Sequence, residues 1–146
     1  MSDDIKKLRE ITGAGVMDCQ RALKEAGGDF DKAISFIHKR GEIIFQKRKE
    51  RLTGAGVLKS YIHNGRVGVL LDIRCETDFV GRGEDFQNLA NEVAMQITAM
   101  NPENVEELLK QPYVKDESIT IGDLIKRVIA KTGENVKVER FCRYEI

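Results

Sequence analysis

The chain has 146 residues, 24 of them basic and 24 acidic; 41% are hydrophobic, 33% charged and none is tryptophan. That length allows a very small domain beside a medium one with a modest core. The balanced charge excludes the basic excess of non-specific nucleic-acid binding, and the scarcity of aromatics argues against a base-stacking platform or an aromatic ligand cage. The charge is unevenly divided: residues 1–52 hold 12 basic and 9 acidic groups, whereas residues 53–146 hold 12 and 15, which fits two modules. Cys19, Cys75 and Cys142 form no CxxC pair, so neither a zinc site nor a dithiol centre is expected, and reduced thiols in the cytoplasm are. The first ten residues, MSDDIKKLRE, are too polar for a signal peptide, and no apolar run nears the roughly 20 residues of a membrane span.

Three short helices are predicted in residues 1–40. Ser2 or Asp3 caps the first, with Ile5, Leu8 and Ile11 at helical spacing, and Thr12-Gly13-Ala14-Gly15 ends it. The second runs from Val16 to Ala26 with a stripe of Val16, Cys19, Ala22, Leu23 and Ala26. Gly27-Gly28 closes it. Asp29 caps the third, which turns Phe30, Ala33, Ile34 and Ile37 inward and ends near Gly41. So small a bundle buries little area and serves best to present a surface. Residues 41–53 then read as a basic helical linker, within a stretch (39–51) of six basic and two acidic groups.

The second module, 54–146, opens with two β-branched runs, Val57–Ile62 and Val67–Ile73, flanking His63-Asn64-Gly65-Arg66. Asn-Gly between such runs is a strong hairpin signal, because both turn residues need positive φ. A loop at 76–83 leads to a helix from Glu84 to about Met100, with Phe86, Leu89, Val93, Met95, Ile97 and Met100 as its apolar positions. Asn101-Pro102 breaks that helix. A short helix at Val105–Leu109 precedes Pro112, and Thr120 caps a last helix that stops at Gly133. Val136–Ile146 alternates as a final strand, with Val136, Val138, Phe141 and Tyr144 as the inward candidates. The expected class is α+β: three helices, then a small antiparallel three-stranded sheet with helices on one face and the other face open.

Catalytic chemistry is not evident. His38 and His63 are the sole histidines, placed at a helix end and a hairpin tip, and no glycine-rich loop precedes a Lys-Ser/Thr pair. The carboxylates of Glu76, Asp78, Glu84 and Asp85 suit a helix N-terminus better than a metal. The informative segment is Cys75-Glu76-Thr77-Asp78-Phe79-Val80-Gly81-Arg82-Gly83, between a strand and a long helix. Either Thr77 or Asp78 caps a helix while Phe79 packs inward, or Asp78 and Phe79 project as the charge and aromatic anchor of a binding hot spot.

Leu8-Arg9-Glu10-Ile11-Thr12-Gly13-Ala14-Gly15-Val16-Met17-Asp18-Cys19, with Ala22-Leu23, Gly28-Asp29 and Ala33-Ile34, closely resembles the N-terminal domain of bacterial elongation factor Ts. Cys75-Glu76-Thr77-Asp78-Phe79-Val80 is similar to that family's second signature, in the expected order, and the resemblance covers essentially the whole chain. It implies a ubiquitin-associated-like three-helix module, no enzymatic activity, no cofactor or metal, and guanine nucleotide exchange on elongation factor Tu. By similarity Arg9, Val16 and Met17 dock on the GTPase; many relatives have Met at position 16 as well. Thr77, Asp78, Phe79 and Val80 form the element that dislocates the partner's magnesium. Gly81 and Gly83 replace larger residues of many relatives, which would loosen that element's C-terminal side. Long relatives carry two related core subdomains and this chain one. The resemblance therefore implies a homodimer through the sheet in a two-plus-two complex, with Cys142 near the two-fold axis and open to an intersubunit disulfide. No nucleic-acid or membrane partner is expected.

Overall fold

The structure, a computed structural model, describes residues 2–146. Helices α1 (Asp3–Thr12), α2 (Val16–Glu25) and α3 (Phe30–Arg48) come first. Ser2 caps α1 by accepting from the Ile5 amide, and Asp29 caps α3 by accepting from that of Lys32. Gly13, at φ 71°, closes α1 in the left-handed conformation that β-carbons disfavour. Leu8, Cys19, Ala22 and Ala33 form the buried centre of this bundle, ringed by Ile5, Leu23, Phe30, Ile34 and Ile37. Ile11, expected inside, is 48% exposed. The inward position in the last turn of α1 belongs to Thr12, whose hydroxyl donates to the Leu8 carbonyl and accepts from the Ala14 amide.

The third helix does not stop near Gly41. It continues to Arg48 because one glycine costs a helix only about 1 kcal/mol and the extension packs on the second module. Ile44 and Phe45 join the main core, and Lys126 lies over the Phe45 ring at 4.6 Å while its ammonium meets Glu42 at 2.9 Å. That ammonium, followed by the Gln46 amide, holds the Glu42 carboxyl below the usual carboxylate range.

In the second module, β1 (Ala55–His63) and β2 (Val67–Cys75) form the expected hairpin, with Asn64 and Gly65 at φ 54° and 66°. A one-turn helix α4 (Asp78–Gly81) leads into α5 (Glu84–Met100), then α6 (Val105–Lys110). Next come a two-stranded ribbon of β3 (Pro112–Tyr113) and β4 (Asp116–Thr120), α7 (Ile121–Thr132) and β5 (Lys137–Glu145). The main sheet has the order β1-β2-β5, antiparallel throughout. Val69, Leu71, Ile73 and Cys75 of its central strand face Phe86, Leu89, Val93 and Ile97 of α5, with Ile121, Ile125 and Ile129 of α7 in the same core. Thr120 and Asp123 form a reciprocal capping box on α7, and Gly133 ends it at φ 76°.

Met100, expected apolar and inward, is 46% exposed, because buried Ile97 and Thr98 already complete the inner face of α5's last turn. Tyr144 also points outward, unlike Val136 and Val138. A register shift opposite Asp72 and Ile73 places Arg140 and Val138 against consecutive residues, so Glu139 is extra. The bulge reverses the alternation beyond it: Phe141 still packs on the core and Tyr144 cannot. The β3–β4 ribbon was not expected; Gln96 and Glu92 of α5 hold it, accepting from the Val114 amide and the Tyr113 hydroxyl respectively.

Candidate protein-docking site: an exposed finger and a helical patch

The two readings of residues 75–83 are both realised in part. Thr77 is a helix cap: its hydroxyl accepts from the Val80 amide at 3.3 Å. Phe79, however, does not pack inward but is 87% exposed. Asp78 beside it is exposed too, whereas Val80 rests on the core. The finger is thus a wound turn with a charge and a benzyl group at its tip and one apolar foot beneath.

Its C-terminal side is not loose. The amides of Gly81, Arg82 and Gly83 donate to the carbonyls of Thr77, Asp78 and Val80, and the Gln87 side chain donates to the Gly81 carbonyl. Below the turn lies Cys75, fully buried, with its thiol 3.2 Å from the Thr77 carbonyl. Burial pushes that thiol up, and the negative charges of Glu134, Asp78 and Glu76 push it further, so it is inert at neutral pH.

The N-terminal residues occupy another surface. Arg9 and Met17 are exposed, Met17 by 67%, and Val16 is half-buried at the start of α2. An exposed methionine is a flexible, polarisable contact, well suited to a protein surface. Cys142 is exposed on β5, opposite Leu70. Thr77, Asp78, Phe79 and Val80 therefore come together in one turn, whereas Arg9 stands on α1, Val16 and Met17 open α2, and Cys142 stands apart on the sheet's outer face.

An open groove of about 680 Å³ runs between α2–α3 and α7. Its charges include pairs such as Asp18–Arg40 and Glu42–Lys126, and it has no glycine-rich phosphate cradle. Among the described residues no three His, Cys, Asp or Glu side chains are arranged to hold a metal ion. What the sequence reading missed is Glu134. Its carboxylate accepts from the Glu76 amide at 3.1 Å, the Thr77 amide at 2.9 Å and the Thr77 hydroxyl at 2.7 Å.

An anchored turn with a charged and aromatic tip exposed to solvent has the make-up of a protein-docking surface. Comparison with known proteins makes this specific. The family model for elongation factor TS matches residues 76–146. The elongation factor Ts of Thermotoga petrophila is 40% identical over 188 aligned positions, covering 99% of this chain and 94% of that protein. Those of Gloeothece citriformis and Desulforamulus reducens are 39% and 40% identical, and the chain spans 65% and 87% of their lengths. The chain belongs to the elongation factor Ts family, the non-catalytic nucleotide exchange factors that serve elongation factor Tu in translation elongation. The Thermotoga alignment has 42 more positions than this chain's 146 residues, so the relative carries length that this chain lacks.

Proposed function

We propose that the chain releases GDP from elongation factor Tu by inserting the Asp78–Phe79 tip near the partner's magnesium site while Arg9, Val16 and Met17 dock on its nucleotide-binding domain. The observation that carries this reading is the 87% exposure of Phe79 on a turn anchored by the Thr77 cap, the Val80 foot and its own backbone hydrogen bonds. Holding a benzyl group in water is unfavourable, and a pocket on a partner removes that cost. Full burial of a phenylalanine contributes about 2–3 kcal/mol, and if the pocket opens only when the nucleotide site is distorted, that difference accelerates release roughly 30- to 150-fold. Asp78 adds a carboxylate that competes for the donors around the metal, and loss of magnesium leaves the phosphates unneutralised. Thr77 and Val80 hold the tip, as cap and as apolar foot. The coupling is reciprocal: the factor by which this protein weakens nucleotide binding is the factor by which nucleotide weakens it, so GTP loading expels it.

Phe79→Ala should lower the maximal rate of labelled-GDP release from elongation factor Tu at least about tenfold without abolishing complex formation, measured by stopped-flow fluorescence. Release at the wild-type rate would remove the wedge. Met17→Lys should raise the factor concentration needed for half-maximal release; unchanged affinity by calorimetry takes Met17 out of the interface.

The finer assembly is a homodimer through the outer face of the sheet, giving a two-plus-two complex in the cytoplasm. Leu58, Ile62, Leu70 and Tyr144 are exposed on that face, with Cys142 among them. RNA binding by the basic stretch 39–51 is the disfavoured alternative, because much of its charge is engaged internally. Arg40 meets Asp18, Arg48 donates to the Gly133 carbonyl, and Arg51 meets Glu76.

A further inference from the structure

We propose that Glu134 is a positioning residue for the finger: its carboxylate clamps the base of the Thr77–Gly81 turn and fixes the direction in which Phe79 projects. The proposal rests on the finger reading above. The geometry is specific. One carboxylate oxygen takes the consecutive amides of Glu76 and Thr77, and the other takes the Thr77 hydroxyl. That hydroxyl, having donated its proton to Glu134, presents its lone pair to the Val80 amide, so clamp and cap share one rotamer of Thr77. Charge-assisted bonds of this kind are roughly twice as strong as neutral ones.

The clamp is itself held. The Asn135 amide donates to Glu76 at 2.6 Å, so residues 76 and 134–135 grip each other reciprocally, side chain to backbone in both directions. The buried Asn135 side chain donates to the Arg51 carbonyl at 2.8 Å, Arg51 pairs with Glu76, and Arg48 donates to the Gly133 carbonyl at 2.8 Å. The loop after α7 thus fastens the finger and the end of α3 to one point. A wedge works only when its tip meets the pocket squarely, and a misplacement of about 1 Å can cost a hundredfold in rate. Without Glu134 the hydroxyl of Thr77 keeps only the Val80 amide as a partner, and the amides of residues 76 and 77 turn to water. The finger then remains present but poorly aimed.

The chain has no tryptophan, so Phe79→Trp introduces a single emission probe at the tip. The test compares full-length wild type, Glu134→Ala, Glu134→Gln and Phe79→Ala in GDP release from elongation factor Tu over a range of factor concentrations, and compares tip anisotropy of Phe79→Trp with and without Glu134→Ala. We expect Glu134→Ala to lower the maximal rate at least about tenfold with half-saturation unchanged, and to lower the anisotropy. Glu134→Gln, which keeps an acceptor for the amides, should recover most of the rate. Wild-type release by Glu134→Ala, with Phe79→Ala impaired, overturns the clamp and leaves the wedge standing. Unchanged anisotropy, or a loss of thermal stability and half-saturation that Glu134→Gln does not restore, overturns it as well. An unimpaired Phe79→Ala instead rejects the finger reading itself.

Discussion

Two glycines meet beneath the finger, and they differ in kind. Gly56 has φ 146°, and a Cβ there would lie 2.3 Å from the Ile73 carbonyl oxygen of the central strand. Neither the conformation nor the space admits a side chain, and the obstacle is backbone that cannot yield. Gly81 has ordinary helical geometry; a Cβ would touch the Cys75 sulfur at 3.4 Å, an ordinary contact. Gly56→Ala should therefore destabilise the protein by about 2–4 kcal/mol, whereas Gly81→Ala should be neutral or stabilise it by up to about 1 kcal/mol by restricting the unfolded chain. Urea unfolding of both variants measures the contrast, and equal effects would show that the close approach under the finger is not as drawn. The resemblance implies that Gly81 and Gly83 loosen the finger's C-terminal side; in the wound turn a side chain at Gly81 meets no steric obstacle, whereas a Cβ at Gly83 would lie 3.2 Å from the Val80 carbonyl oxygen. Thr12–Val16 and Thr53–Val57 share one sequence, yet the first closes a helix with Gly13 at φ 71° and the second enters a strand with Gly56 at 146°. Composition alone does not say which.

At the scale of elements, features set by neighbouring residues were legible and those set by distant ones were not. The Asn64-Gly65 turn, the caps at Ser2, Asp29 and Thr120 and the stop at Gly133 are local hydrogen-bond chemistry, and each stands where the sequence puts it. The bulge at Glu139, the length of α3 and the grip of Glu134 on Thr77, 57 residues away, depend on what packs alongside. Asp72 belongs to the same group. It points to the sheet's outer face yet is 5% exposed, because Arg74 on its own strand and Arg140 on β5 cover it at 2.6 and 3.2 Å. The Arg74 bond, more than that of Arg140, holds its carboxyl below the usual range against the opposing effect of burial. A depressed value means that the folded state prefers the charged form. The stabilisation is therefore complete above the ordinary carboxylate pKa of about 3.9 and is lost as pH falls through the lower folded value. Asp72→Asn should cost about 1–2 kcal/mol at pH 7, discounted for the exposure of both arginines, and the gap from wild type should close in strongly acidic solution. A gap that stays constant down to the acid transition would show that the ion pairs contribute nothing pH-dependent.

For the whole molecule the open question is what covers the outer face of the sheet. Three of its cross-strand rows are Ile62–Gly68–Tyr144, Ser60–Leu70–Cys142 and Leu58–Asp72–Arg140, and a fourth, Gly56–Arg74–Lys137, lies beyond them. The row at the hairpin end is the most apolar and the most exposed, with Ile62 at 71% and Tyr144 at 76%, and Gly68 leaves a hollow between them. The ionic Asp72–Arg140 pair stands toward the other end. A second copy related by a two-fold axis near Leu70 would set each Tyr144 against apolar surface of its partner and keep the arginines at the rim, the arrangement of hydrophobic centre and polar edge that stable interfaces adopt. It would also bring the two Cys142 thiols close to the axis. Cys19 and Cys75 are fully buried and pushed up by burial, so Cys142 is the cysteine available to reagents in the folded chain. Leu70→Glu, which plants two like charges at the axis, should shift the protein from dimer to monomer in analytical ultracentrifugation while leaving its helical circular dichroism intact. Cys142→Ser should abolish any covalent dimer on non-reducing gels and leave a non-covalent one in place, because in this arrangement the apolar area and not the sulfur would hold the copies together. A wild-type protein that sediments as a monomer at every concentration would overturn the arrangement, and with it the two-plus-two stoichiometry, while leaving the Phe79 wedge untouched, since that tip lies at the start of α4 and not on this face.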